Sequence, residues 1–113
     1  MNLSQFLSDD KLRNAWIYGN HIQVYIRRAI HLIGREAYPC LDIGSVEVDE
    51  EYRGKSIFTS FLKRFEAEAK KLNRVVYVES IQEPRLQSFL LKNGYTLVPR
   101  TSDIAPSMFK LPT

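Results

Sequence analysis

The hydrophobic pattern between Cys40 and Val48 changes phase in mid-segment, and no other feature restricts the fold so tightly. Leu41 and Ile43 occupy odd positions, whereas Val46 and Val48 occupy even ones. Strand side chains alternate between faces, so one face can gather both pairs only if an extra residue separates them. Gly44-Ser45 stands at the change. This is the pattern of a β-bulge, which bends a strand and re-aims the residues beyond it; a strand buried on both faces is the alternative. Directly afterwards an acidic turn, Asp49-Glu50-Glu51-Tyr52, leads into Arg53-Gly54-Lys55-Ser56, and an amphipathic helix begins at once. Ile57, Phe58, Phe61, Leu62, Phe65, Ala69 and Leu72 share one face of that helix, and Glu66 and Lys70 are spaced for mutual support on the other. The first N–H groups of a helix lack intrahelical partners and carry partial positive charge. With Arg53 and Lys55 beside them they suit a phosphate group. A phosphorylated ligand is expected here.

The other elements are read from periodicity. Ser8-Asp9-Asp10 reads as a helix start, with Leu12, Ala15 and Trp16 at helical spacing and Gly19-Asn20 as its end. From Ile22 to Leu32 the even positions are apolar except Arg28, which predicts a strand, and Gly34-Arg35-Glu36 predicts its turn. Val75-Val76-Tyr77-Val78 predicts a buried central strand. Pro84 suits the first turn of a second long helix, with Leu86, Phe89 and Leu90 facing inward and Asn93-Gly94 as a left-handed cap. Strands are expected over Tyr95 to Val98 and Met108 to Leu111. The predicted order is helix, two strands, helix, strand, helix, two strands: an α/β layer structure with a mixed sheet.

At 113 residues the chain has the length of one domain, expected to span residues 1–113. No apolar run approaches the roughly 20 residues that cross a bilayer, so no membrane association is expected. Asp9 and Asp10 interrupt any secretory-signal pattern at the N-terminus. Cys40 is the only cysteine, which excludes an internal disulfide and a cysteine-based zinc site; a reducing, cytoplasmic setting is expected. The net charge of +3 is mild and would suit a polyanionic small molecule.

Gly54-Lys55-Ser56 invites comparison with a nucleotide P-loop, but that motif needs a glycine where Asp49 stands. The segment Glu51-Tyr52-Arg53-Gly54-Lys55-Ser56 instead resembles the acyl-CoA-binding motif of the GNAT superfamily of N-acetyltransferases, Gln/Arg-x-x-Gly-x-Gly/Ala after a bulged strand. Gly54 matches; Glu51 and Ser56 depart from it. A second landmark of the family, Phe-Tyr-x-x-x-Gly-Phe, corresponds to Phe89-Leu90-Leu91-Lys92-Asn93-Gly94-Tyr95, with Glu83 where an Asn often stands. The resemblance runs from about Ile22 to Val98, and the N-terminal region looks abbreviated.

The resemblance implies a mostly antiparallel mixed sheet with a bulged, splayed central strand pair flanked by helices. It implies acetyl-CoA as cofactor and an amine, on a small molecule or protein, as acceptor. Val46, Glu47 and Val48 would pair with the pantetheine arm, and Arg53, Gly54, Lys55, Ser56, Ile57 and Phe58 would hold the pyrophosphate. An oxyanion donor is expected near Val46 to Val48. Glu79 is the first choice of general base and Glu47 the second; Tyr77 or Tyr95 could supply a proton to the leaving thiolate. Leu90 stands where relatives often carry the acidic tyrosine. A catalytically degenerate scaffold that binds CoA, or serves a regulatory or nucleic-acid-associated role, is the alternative. His21 and His31 read as strand or surface histidines with no metal site, and Cys40 lacks an activator for nucleophilic chemistry. Arg27, Arg28 and Arg35, interleaved with Tyr25 and Tyr38, read as surface charge, with nucleic acid a minor alternative. An open sheet edge would permit a homodimer.

Overall fold

The computed structural model describes residues 1–54 and 56–112. The described residues form a six-stranded sheet in the order β1-β2-β3-β4-β6-β5. The strands are β1 (Asn14–Gly19), β2 (Ile22–Ile33), β3 (Glu36–Val48), β4 (Val75–Val78), β5 (Thr96–Leu97) and β6 (Met108–Lys110). Three α-helices accompany them: α1 (Leu3–Ser8), α2 (Ile57–Lys71) and α3 (Pro84–Lys92). Only β3 and β4 are parallel; every other neighbouring pair is antiparallel. The mixed, mostly antiparallel sheet expected from the sequence is the one observed.

The first helix lies elsewhere than expected. Asn2 caps α1 by accepting from the Gln5 amide at 2.9 Å, and the Gln5 side chain returns the bond to the Asn2 amide. That capping box fixes a helix over Leu3–Ser8. Residues 14–19, read as helix, form β1 instead. Ala15 and Ile17 turn inward while Trp16 and Tyr18 turn outward, so a period of two fits them as well as the helical spacing did. Pairing with β2 from Asn14↔Arg27 to Gly19↔Ile22 decides between the two readings. Tertiary pairing outweighs local spacing in so short a segment.

Leu3 and Phe6 of α1, Leu62, Phe65 and Ala69 of α2 and Leu90 of α3 join a single cluster on the sheet face bearing Ile17, Val24, Ile26, Leu41, Ile43, Val76 and Val78. Among the described residues no helix contributes to the buried cluster on the opposite face, which holds Cys40, Val75, Tyr77 and Val98. The lone polar residue of the even-numbered face of β2 has a defined task. The Arg28 guanidinium donates to the carbonyls of Phe6, Leu7, Asp9 and Leu12 at 2.5–3.2 Å and lies 4.5 Å over the Phe6 ring. It therefore ties the C-terminal end of α1 to the sheet.

Candidate active site

The bulge falls where the phase change placed it. Tyr25 pairs with Ser45 and Ile26 with Ile43, so Gly44 is the extra residue. A side chain there would be crowded, and the Tyr25 ring would have to give way by a few tenths of an ångström. A Cβ on Gly44 would lie 3.1 Å from the Tyr25 ring and 3.8 Å from Glu79 Oε2. The kink coincides with the end of β3–β4 pairing. Those strands match from Cys40↔Val75 to Ile43↔Val78, and the last rung is the Glu79 amide donating to Ile43 O at 3.0 Å. Beyond it the chain after β4 turns toward another partner. Ser80 adopts φ 45° and its amide donates to Ser107 Oγ, while the Ile81 amide donates to Pro106 O. One strand bends, the other is drawn away, and the sheet opens between them.

Further spaces adjoin the opening and lead toward the start of α2. At the splay, Ile43, Gly44, Val46, Val78, Glu79 and Leu86 are among the residues enclosing a cavity of about 410 Å³. It shares Val46 and Glu83 with a wider channel of about 690 Å³ bordered by Glu47, Val48, Arg53 and Arg85. That channel shares Val48 and Arg53 with a recess of about 190 Å³ formed by Tyr52, Gly54, Ser56, Ile57, Phe58 and Thr59 at the start of α2. Eight of the nine residues expected to hold a cofactor thus border these three adjoining spaces. Lys55 lies outside the described residues.

The start of α2 is where the sequence places a phosphate group, and Arg53 borders the recess there. Ser56 precedes α2 at φ 65° and offers no side-chain cap, so its hydroxyl does not occupy the first-turn amides. Gly54 sits at φ 80°, with no neighbour within 4 Å of an added Cβ, which leaves room above the helix start. Arg53 Nε donates to Val48 O at 3.1 Å, fixing the guanidinium stem at the junction of recess and channel. The preceding turn is held by the Tyr52 ring stacked on His21 at 3.5 Å and by His21 Nδ1 beside Asp49 Oδ2 at 3.1 Å.

The other end carries a buried charged cluster. Asp42 is 0% exposed, and its Oδ2 meets Arg27 Nε at 3.2 Å and His31 Nε2 at 2.7 Å. Arg27 also pairs with Glu79, whose Oε1 lies 4.0 Å from His31 Nε2. The His31 ring stacks on Tyr77 at 3.7 Å, with the two planes nearly parallel. Burial raises the proton affinity of the Asp42 carboxyl above the usual range, and the contacts with His31 and Arg27 pull it back only in part. Ligating atoms of His31, Asp42 and Glu79 lie within 4.8 Å of one another. Arg27 already supplies positive charge at that point, which disfavours a metal ion.

The catalytic candidates are thus distributed unequally. Glu79 borders the splay and belongs to the charged cluster. Glu47 borders the channel and accepts from Gln23 Nε2 at 2.6 Å. Tyr95 is remote from the groove: it is 4% exposed, packs in the main core, and donates its hydroxyl to Glu66 Oε2 at 2.7 Å. Burial and that bond push its pKa up, so proton release there is disfavoured. Leu90 is buried in the same core. Sequence reasoning passed over Asp42, Arg27 and His31 as a unit. The available signal was the cross-strand pair Arg27↔Asp42, opposite charges facing each other on adjacent strands.

No family model matches the chain, and no curated protein sequence matches it. Solved structures do. The AtaT toxin, in a complex with the C-terminus of the antitoxin AtaR and acetyl-CoA, superposes with a TM-score of 0.64 at 10% identity, over 80% of this chain and 58% of that one. A structure described as histone acetyltransferase HPA2 and related acetyltransferase from Corynebacterium glutamicum gives a TM-score of 0.61 at 15% identity, over 81% and 57% respectively. A further structure, described as a bacterial toxin, gives 0.67 at 13% identity over 97% and 73%. The chain spans less than two thirds of the length of the first two. At these identities the likeness is one of fold, and the fold is GNAT-like.

Proposed function

We propose that this protein is an N-acyltransferase that uses acetyl-CoA and delivers the acetyl group to an amine. The observation that carries this reading is the row of three adjoining spaces from the uncapped start of α2, past the bulge, to the splay of β3 and β4. Amides of Ile57 and Phe58 with Arg53, Gly54, Ser56 and the sequence-adjacent Lys55 receive the pyrophosphate. Such charge-assisted bonds contribute about 1.5–3 kcal/mol each. Val46, Glu47 and Val48 run alongside the pantetheine arm as a strand partner, a role open to them because among the described residues no backbone bond joins them to β4. The fold shared with a toxin bound to acetyl-CoA supports this placement.

In this reading the thioester carbonyl lies at the splay, where Gly44 leaves room for it and a backbone amide near Val46 faces the developing oxyanion. Glu79 removes a proton from the entering ammonium group, the nitrogen attacks the carbonyl carbon, and the C–S bond breaks. A second reading, a scaffold that binds acetyl-CoA without turning it over, draws on Leu90 and Tyr95 both being committed to the core. Steady thiol release with any amine excludes it.

Titration calorimetry tests the binding half directly. Wild-type protein gives a saturable heat with acetyl-CoA. Gly54→Asp weakens it by at least ~10-fold, since it places an anion in the phosphate recess and a side chain at a left-handed φ. Absence of heat from the wild type at millimolar cofactor ends the proposal.

A further inference from the structure

The groove explains the positions of Glu79 and Arg53 but not why the chain keeps a charged aspartate wholly buried at its inner end. Burying a carboxylate is costly unless it is paired and bonded, and Asp42 retains an unpartnered Oδ1 even so. Two carboxylates, Asp42 and Glu79, share a single guanidinium from Arg27. With His31 neutral the cluster carries one excess negative charge; with His31 protonated it balances.

The short His31–Asp42 contact needs one proton between its two atoms. Where Nε2 carries it, the pair can still gain a proton: the shared proton passes to Asp42 Oδ2, and Nε2 is freed to accept the next. We propose that His31 and Asp42 form the proton store of the acceptor site, His31 taking over the proton that Glu79 removes from the amine. This rests on the acyltransferase reading and assigns to it two residues outside the cofactor groove. The 4.0 Å between Glu79 Oε1 and His31 Nε2 is one bridging water or a small side-chain shift from transfer distance. Tyr77 holds the imidazole plane by stacking, so the ring presents a fixed edge to both carboxylates.

The reaction balances on these groups. The ammonium gives one proton to Glu79, and Glu79 passes it to His31 Nε2 as the proton already there moves to Asp42 Oδ2. The freed lone pair forms the N–C bond to the thioester carbonyl, and the C–S electrons leave on sulfur. The second nitrogen proton ends on that sulfur as the thiol, and the His31–Asp42 pair returns its extra proton to solvent. The groups facing His31 are Arg27 on its own strand, Asp42, Cys40 and Tyr38 from β3, and Tyr77 and Glu79 from β4. Burial pushes the Cys40 thiol up to about 11, and a bond to Glu36 pushes the Tyr38 hydroxyl up. Neither can take the place of His31 as an acceptor near neutrality.

The experiment measures amine-dependent thiol release across pH, beside acetyl-CoA calorimetry, for wild type, His31→Gln and Asp42→Asn. Glutamine keeps a donor for Asp42 but cannot hold a charge. The expected result is unchanged acetyl-CoA affinity, with kcat lowered about 100-fold in His31→Gln at neutral pH. That loss shrinks as pH rises, because solvent hydroxide then takes the proton. Asp42→Asn lowers kcat likewise and moves the acid limb of its pH profile downward. If His31→Gln loses acetyl-CoA binding through misfolding, the isosteric Asp42→Asn decides alone. An active wild type with both variants within about threefold of it overturns the proton store and leaves the acyltransferase standing. A wild type that binds acetyl-CoA but releases no thiol overturns both.

Discussion

Asp42 is held inside the protein in contact with two basic side chains, and its burial opposes stability. Its carboxyl binds a proton more tightly in the fold than in the unfolded chain, chiefly through burial. The folded state therefore holds more protons than the unfolded state between the ordinary carboxylate range and the raised value, and stability declines as pH rises through that window. Asp42→Asn removes the decline. Thermal melts should show a higher Tm than wild type at neutral pH, by on the order of 1 kcal/mol or roughly 4 °C, and little gain below the carboxylate range. A lower Tm at neutral pH would mean that the bonds to His31 and Arg27 outweigh the desolvation. Ser56 presents a second local cost. A non-glycine residue at φ 65° is strained by about 1–2 kcal/mol, so Ser56→Gly should stabilise the protein by about 1 kcal/mol in denaturant unfolding. It should also tighten acetyl-CoA binding by widening the recess. An unchanged unfolding midpoint would contradict the strain.

Among the elements, those with a strong internal period were legible and those fixed by distant partners were not. The phase change from Leu41 and Ile43 to Val46 and Val48 located the bulge at Gly44-Ser45, because strand alternation admits few other solutions, and the pairing singles out Gly44 of the two. The face of α2 and the Asn93-Gly94 cap were legible for similar reasons, Gly94 taking φ 88°. By contrast, residues 14–19 satisfy both helical and strand periods, and only their pairing with β2 settles the matter. Arg28 was visible as an interruption of an apolar face, but its partners, the carbonyls at the end of α1, lie about twenty residues away. Four charged hydrogen bonds are lost together in Arg28→Met. That variant should cost roughly 2–3 kcal/mol and detach α1, seen as lost amide-exchange protection in residues 3–8. Retained protection there would show that Leu3 and Phe6 hold the helix unaided.

At the scale of the molecule, the site is made by an arrangement no single segment encodes. The recess belongs to α2, the channel to β3 and the start of α3, and the inner cavity to the gap between β3 and β4. The motif at Arg53-Gly54 identified one end; the opposite end depends on Ser107 and Pro106 drawing the chain after β4 away from β3, contacts that cross some 25 residues. The buried cluster likewise assembles Arg27 and His31 from β2, Asp42 from β3 and Glu79 from the end of β4. Helices cover one face of the sheet and this cluster lies toward the other, so in the proposed reaction cofactor and acceptor approach the splay from different sides. A crystal structure with coenzyme A bound tests the central claim most directly. The account predicts the diphosphate within hydrogen-bond distance of the Ile57 and Phe58 amides, the pantetheine arm beside Val46 to Val48, and the sulfur at the Gly44–Glu79 opening. Coenzyme A bound elsewhere, or a groove left empty at saturating ligand, would contradict it.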